Sequence, residues 1–317
     1  MSCPKKLEMV ALIGVVTLVL CGGCANKTTG PTSSVAAARN SQAPSIVAAP
    51  IQTKVTSDGT VGYRSIGTGS TIVMIMGYSS SMDGWPPNFV DALARYHRVI
   101  TLDNSGIGKT SLPPGPLTIG TMADQTHAFI VALGLRRPTV LGWSMGGMIA
   151  QSLAAKYPKD LSKLILCATL PGNAKATPPS AAATAALGNP SQANAGALLG
   201  LLFPPDQQAK EVPAFTSQIS KYPNFYLASG SIDGQQLSAL AKWFAGGDPS
   251  GHEISHIKVP TLIGDGSDDV LIPPQNDYEM HTEIPGSKLI MYPDAGHGFL
   301  FQDANSWSKA ILKFIAG

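Results

Sequence analysis

The chain has 317 residues, of which 44% are hydrophobic and 13% charged, with a formal net charge of +2. That apolar share excludes a wholly disordered chain. The near-neutral balance excludes a protein that tracks a phosphate backbone through a basic surface, so no nucleic-acid partner is expected. Heptads, collagen triplets and fixed-period repeats are absent. One globular body with additions is expected.

Residues 1–24 read as an address. Lys5 and Lys6 precede an apolar run from Met9 to Leu20, too short to span a bilayer comfortably as a permanent helix but laid out like a secretory signal. Cys21-Gly22-Gly23-Cys24 follows and resembles a bacterial lipobox, with Cys21 where leucine is usual. This reading makes Cys24 the lipidated residue, and the protein an exported lipoprotein anchored on the outer side of the cytoplasmic membrane. Two alternatives stay open: cleavage after Ala25 with ordinary secretion, and a retained anchor. Residues 25–50, rich in Ala, Ser, Thr and Pro, are expected to be a flexible spacer. Of four cysteines only Cys167 lies in the body, which excludes an internal disulfide there and suggests a buried small hydrophobe.

From residue 51 the sequence alternates strands and helices. The weaker runs 53–56 and 61–66 predict an opening antiparallel hairpin. TIVMIMG (71–77), HRVITLD (97–103), PTVLGW (138–143), LSKLILCAT (161–169), VPTLIGDG (259–266) and SKLIMYPD (287–294) are short apolar runs between turn residues, as in strands covered on both faces. Helical spacing marks 121–135, where Met122, Phe129, Ile130 and Leu133 share a face, and also 145–157 and 305–315. The fold class expected is α/β, a doubly wound, mostly parallel sheet with core segments 51–172 and 257–317. Residues 173–256 hold no convincing strand but several helical stretches broken by prolines, and are expected to be an inserted helical lid over the C-terminal sheet edge.

Three motifs carry chemistry. Gly142-Trp143-Ser144-Met145-Gly146-Gly147 falls between a strand and a helix, which places Ser144 at the apex of a tight turn beside a helix N-terminus. A serine hydroxyl needs a base to take its proton. Among six histidines, only His297, in DAGHGF, lies in a loop after the last strand; His127, within a helix, is the distant second. The base needs a carboxylate that fixes its tautomer, and GDGSDDVLIPP offers Asp265, Asp268 and Asp269, of which Asp269 is favoured. Asp294 is expected to shape the turn before His297.

These motifs, in the order Ser, Asp, His and each after a strand of matching rank, resemble the α/β-hydrolase superfamily from about residue 55 to the C-terminus. The resemblance implies a Ser144–His297–Asp269 triad and an oxyanion hole from two backbone amides. One is that of Met145; the other, by position, is that of Tyr78, in a loop where the family often has His-Gly and this chain has Met76-Gly77. No cofactor and no metal are implied. The expected reaction is hydrolysis of a small-molecule carboxylic ester through an acyl-enzyme. Cofactor-free perhydrolysis of the haloperoxidase kind, C–C bond hydrolysis and a non-catalytic lipid-anchored binding protein are the alternatives. Apolar lid residues (Leu198 to Phe203; Leu237, Leu240, Trp243, Phe244) suit an apolar acyl group, and equally suit packing of the lid on the core.

Two other patterns are set aside. DNSGIGKT (103–110) ends like a phosphate-binding loop, but Asp103 stands where that pattern needs glycine and Pro113-Pro114 follows instead of a helix. It resembles instead the D-x-R-G-x-G-x-S loop of α/β hydrolases, with Ser105 in place of arginine. His252-Glu253-Ile254-Ser255-His256 spells H-E-x-x-H, yet Pro249, Gly251 and the strand at Val259 leave barely a turn in which to present both histidines.

Overall fold

The structure is a computed structural model that describes residues 44–188, 195–228 and 230–317. The leader, with Cys24, and the spacer up to residue 43 lie outside the described residues.

Eight strands form one sheet: β1 (Gln52–Thr56), β2 (Gly59–Ile66), β3 (Thr71–Ile75), β4 (Arg98–Leu102), β5 (Thr139–Trp143), β6 (Lys163–Cys167), β7 (Thr261–Gly266) and β8 (Lys288–Tyr292). Their order is β1-β2-β4-β3-β5-β6-β7-β8. The opening hairpin is antiparallel, with Thr56 opposite Gly59, and β2 is antiparallel to β4; every later pairing is parallel. The chain leaves β3 for β4 on one side and returns to β5 on the other. The topological switch therefore lies between β3 and β5, where ligands bind in open α/β sheets.

The central strands are apolar because both of their faces are covered. On one face Met122, Phe129 and Ile130 of α2 (Ile119–Ala132) and Met148, Ile149 and Leu153 of α3 (Met145–Lys156) pack against Val73, Val140 and Leu164. Thr118 and Thr121 start α2 with reciprocal side-chain-to-backbone bonds, which satisfy amides that have no intrahelical acceptor. On the other face α1 (Pro87–Ala94) and α10 (Ala304–Ala316) bury Phe89, Trp307, Ile311 and Phe314 against Ile72, Met74 and Ile165. Cys167 is fully buried and free.

Between β6 and β7 run α4 (Ala181–Leu187), α5 (Ala195–Leu202), α6 (Gln208–Ile219) and α7 (Ser231–Phe244). Pro213, counted in the sequence as a break, stands inside α6. Leu240 and Trp243 are buried in the core cluster, and the Trp243 indole donates to the carbonyl of Leu170 at 3.2 Å, so packing accounts for both.

The spacer ends earlier than expected. Residues 46–48 form a short 3-10 helix with Ile46 fully buried, and the Ile46 amide donates to Asp91 Oδ1 at 2.8 Å. The Ala49 carbonyl accepts from Arg64, whose guanidinium also makes a bidentate pair with buried Asp83. Ile46 joins an apolar cluster that an Ala- and Ser-rich average conceals. No helix among the described residues is long and apolar enough to cross a membrane.

Candidate active site

Ser144 occupies the turn between β5 and α3 with φ 57° and ψ −122°. A non-glycine residue rarely adopts this conformation, at a cost on the order of 1–3 kcal/mol that surrounding bonds must offset. The Ser144 amide donates to the Cys167 carbonyl at 2.9 Å, and its own carbonyl accepts from Thr169 Oγ1 at 2.9 Å. Two glycines make the turn sterically possible. A Cβ on Gly142 would lie 2.2 Å from the Gly146 carbonyl oxygen, and one on Gly146 would lie 2.1 Å from that of Ile75. Strand and helix therefore approach closely, and the N-terminus of α3 is aimed at the serine.

The loop after β3 passes beside this turn. A Cβ on Gly77 would touch the Ser144 side chain at 3.3 Å, which puts Tyr78 one residue beyond the serine's flank. Among the described residues, the amides of Tyr78 and Met145 have no hydrogen-bond acceptor. The loop is held in place from several sides. Asn104 Nδ2 donates to the Met76 carbonyl at 2.6 Å, and the Ser79 amide donates to Gln236 Oε1 of α7 at 2.9 Å. Ser79 itself has a φ of 63°.

Asp269 and His297 meet, as their motifs suggest. His297 Nδ1 stands 2.7 Å from Asp269 Oδ2, with side-chain exposures of 2% and 0%. A carboxylate only accepts, so the contact keeps the imidazole proton on Nδ1 and leaves Nε2 as the basic atom. The other oxygen, Oδ1, accepts from the amides of Leu271 and Ile272 at 2.7 and 2.8 Å, which fixes the carboxylate. Asp294, at φ 55°, forms the turn before His297 as expected. The histidine loop reaches back over the strand ends to β5: the Trp143 indole donates to the His297 carbonyl at 3.0 Å, and the two rings lie 5.2 Å apart. No hydrogen bond joins Ser144 Oγ to His297 among the described residues; such contacts are often long before substrate binds.

The competing candidates sit elsewhere. Asp268 is exposed. Asp265 is fully buried; burial and the neighbouring Asp277 carboxyl hold its pKa well above the usual range, and Asp277, at the start of α8 (Gln275–Glu283), is raised by burial too. His127 stacks on Tyr157 and pairs with Asp160 at 3.0 Å. The H-E-x-x-H run forms a bend and a 3-10 turn in which His252 Nε2 contacts the Gly246 carbonyl at 2.6 Å. Asp103, Asn104 and Ser105 bond to Met82, Met76 and Gln125, so that loop braces its neighbours.

Sequence reasoning assigned Trp143 to packing and overlooked Gln236 and Asp277. Their roles arise from contacts 154 residues apart for Trp143 and 157 for Gln236, which no local spacing encodes.

With the geometry established, the comparisons with known proteins fall into place. A family model described as "alpha/beta hydrolase fold" matches residues 70–304. The chain is 28% identical over 270 residues (81% of this chain, 97% of the relative) to the Mycobacterium tuberculosis protein named "Putative non-heme bromoperoxidase BpoC". It is 30% identical over 231 residues (72% and 78%) to the poly(3-hydroxyalkanoate) depolymerase of Ectopseudomonas oleovorans. An alpha/beta hydrolase fold protein from Chitinophaga pinensis superposes with a TM-score of 0.74 at 25% identity, covering 86% of this chain and 99% of its own. The strand order, the serine turn and the matched family model together assign the chain to the alpha/beta hydrolase fold family.

Proposed function

We propose that the protein is a serine hydrolase that cleaves a carboxylic ester through an acyl-enzyme. The observation that carries this reading is the buried 2.7 Å contact between His297 Nδ1 and Asp269 Oδ2, in a fold that also puts Ser144 on a strained turn. In this reading His297 Nε2 takes the proton of Ser144 Oγ as it attacks the carbonyl, and then gives it to the departing alkoxide. Asp269 stabilises the imidazolium. The amides of Met145 and Tyr78 receive the oxyanion, each such donor contributing about 3–4 kcal/mol to the transition state. Water activated by the same histidine then clears the acyl group. Helices α4–α7 act as a lid: the Gln236 bond to Ser79 and the Gly298 amide bond to the Leu202 carbonyl (2.7 Å) tie them to both catalytic loops.

The test is hydrolysis of p-nitrophenyl esters from acetate to palmitate by the full-length chain and by Ser144→Ala. Turnover that disappears in the variant supports the mechanism, whereas turnover that survives assigns the wrong nucleophile. The bromoperoxidase named among the relatives favours one second reading, perhydrolysis by the same triad. Peracid formation from acetate and hydrogen peroxide in place of ester turnover would establish it.

The leader supports a further element of the proposal. Lys5-Lys6, the apolar run and Gly22-Gly23-Cys24 fit export and lipidation at Cys24. Incorporation of labelled palmitate that Cys24→Ala abolishes is the expected result; unchanged incorporation contradicts it.

A further inference from the structure

Asp233 lies on the first turn of α7, three residues before Gln236, whose side chain holds the Ser79 amide at 2.9 Å. The spacing puts both side chains on one helix face, against the loop that carries the Tyr78 amide. The Asp233 carboxyl lies beside the Tyr78 phenol and the Ser79 hydroxyl. Asp233 is only 8% exposed and Ser79 only 3%, yet Asp233 Oδ1 and Ser79 Oγ are both buried without a hydrogen-bond partner. Buried polar atoms are rarely left unsatisfied, and an acid in a helix's first turn ordinarily points to solvent. A carboxylate at this position also opposes the negative charge that develops at the neighbouring oxyanion hole. Something that binds here must offset both costs.

We infer that Asp233 and Ser79 form a recognition subsite for a hydroxyl group on the acyl part of the substrate, within one or two carbons of the scissile carbonyl. A hydroxyl donates to Asp233 Oδ1 and accepts from the Ser79 O–H, satisfying both orphan atoms at once. An ammonium group has no acceptor for the serine proton, and an alkyl chain satisfies neither atom. Adjacency to Tyr78 limits the reach, so the substrate class is 2- or 3-hydroxyacyl esters. Burial raises the Asp233 pKa above the usual carboxylate range, as expected of a carboxyl whose partner is still to arrive. The inference rests on the ester-hydrolase reading above.

The test compares p-nitrophenyl butyrate, 3-hydroxybutyrate and 3-aminobutyrate as substrates of the full-length chain and of Asp233→Ala, Asp233→Asn and Ser79→Ala. Wild type should favour the hydroxy ester over butyrate by about 10-fold or more in kcat/KM, the worth of one hydrogen bond to a charged group. The ratio should fall towards one in Asp233→Ala and decline less in Asp233→Asn. Because the readout is a ratio within each variant, partial misfolding cancels, and Ser79→Ala carries the test if Asp233→Ala does not fold. Parity in wild type, a preference that persists in Asp233→Ala, or a higher rate on the amino ester overturns the inference. Binding to Ser144→Ala separates the two claims. Tighter binding of methyl 3-hydroxybutyrate than of methyl butyrate, with no ester turnover by wild type, retains the subsite and overturns the esterase reading. Equal binding alongside rapid turnover does the reverse.

Discussion

The Trp143 indole N–H donates to the His297 carbonyl at 3.0 Å, linking the residue before the nucleophile to the backbone of the base. The bond spans 154 residues and holds the loop after β8 over the end of β5. Trp143 therefore acts as a positioning residue through His297.

Trp143→Phe keeps the ring against the imidazole and removes only the donor. The buried carbonyl is then unpaired, which costs about 1–3 kcal/mol of stability. The expected kinetic result is a several-fold fall in kcat with KM little changed, measured on whichever ester proves best. An unaltered kcat with a lowered melting temperature would reduce the residue to packing.

Asp269→Asn preserves an acceptor for the Leu271 and Ile272 amides, so the fold should survive. The amide presents the wrong partner to Nδ1 or turns the proton to Nε2, and kcat should drop by about 10³–10⁴. Steady-state kinetics beside circular dichroism checks this. A tenfold effect or less would place the acid elsewhere, with Asp265 the nearest rival.

Stability should respond to Asp103. Burial, reinforced by Asp83, raises its carboxyl from 3.8 to about 6, while the Met82 amide and Arg64 pull the other way. The folded chain holds this proton more tightly than the unfolded chain. The contribution is therefore fully present below pH 3.8 and is lost as pH rises through about 6, on the order of 3 kcal/mol in all. In urea titrations between pH 4 and 7, Asp103→Asn should flatten part of this decline; Asp265 and Asp277, raised in the same direction, keep the remainder. An identical slope in the variant would contradict the assignment.

Gly146→Ala forces a methyl group to 2.1 Å from the Ile75 carbonyl, a backbone atom that cannot swing away. A loss on the order of 3 kcal/mol is expected, read as a lower denaturation midpoint. A midpoint within experimental error of wild type would show that β3 and α3 are free to separate.

Much of this was legible in the sequence because the information is local. The parallel strands are continuous apolar runs, the serine turn is six consecutive residues, and Asp269 and His297 follow strands whose rank the alternation reveals. The helix α1 was missed, being eight residues long, although Pro86-Pro87 marks its start. The spacer's end was misjudged because one apolar residue, Ile46, outweighs its polar neighbours once a cluster receives it. Gln236, Asp233 and Trp143 were illegible as site residues for another reason. Each meets its partner only after the sheet order and the placing of α7 bring distant segments together.

The most direct test of the account is labelling of the full-length chain with a fluorophosphonate, followed by peptide mass analysis. The account predicts a single adduct on Ser144 that disappears in Ser144→Ala and is strongly slowed in Asp269→Asn and His297→Ala. Labelling that persists in Ser144→Ala, or an absence of labelling in the folded wild-type protein, would contradict it.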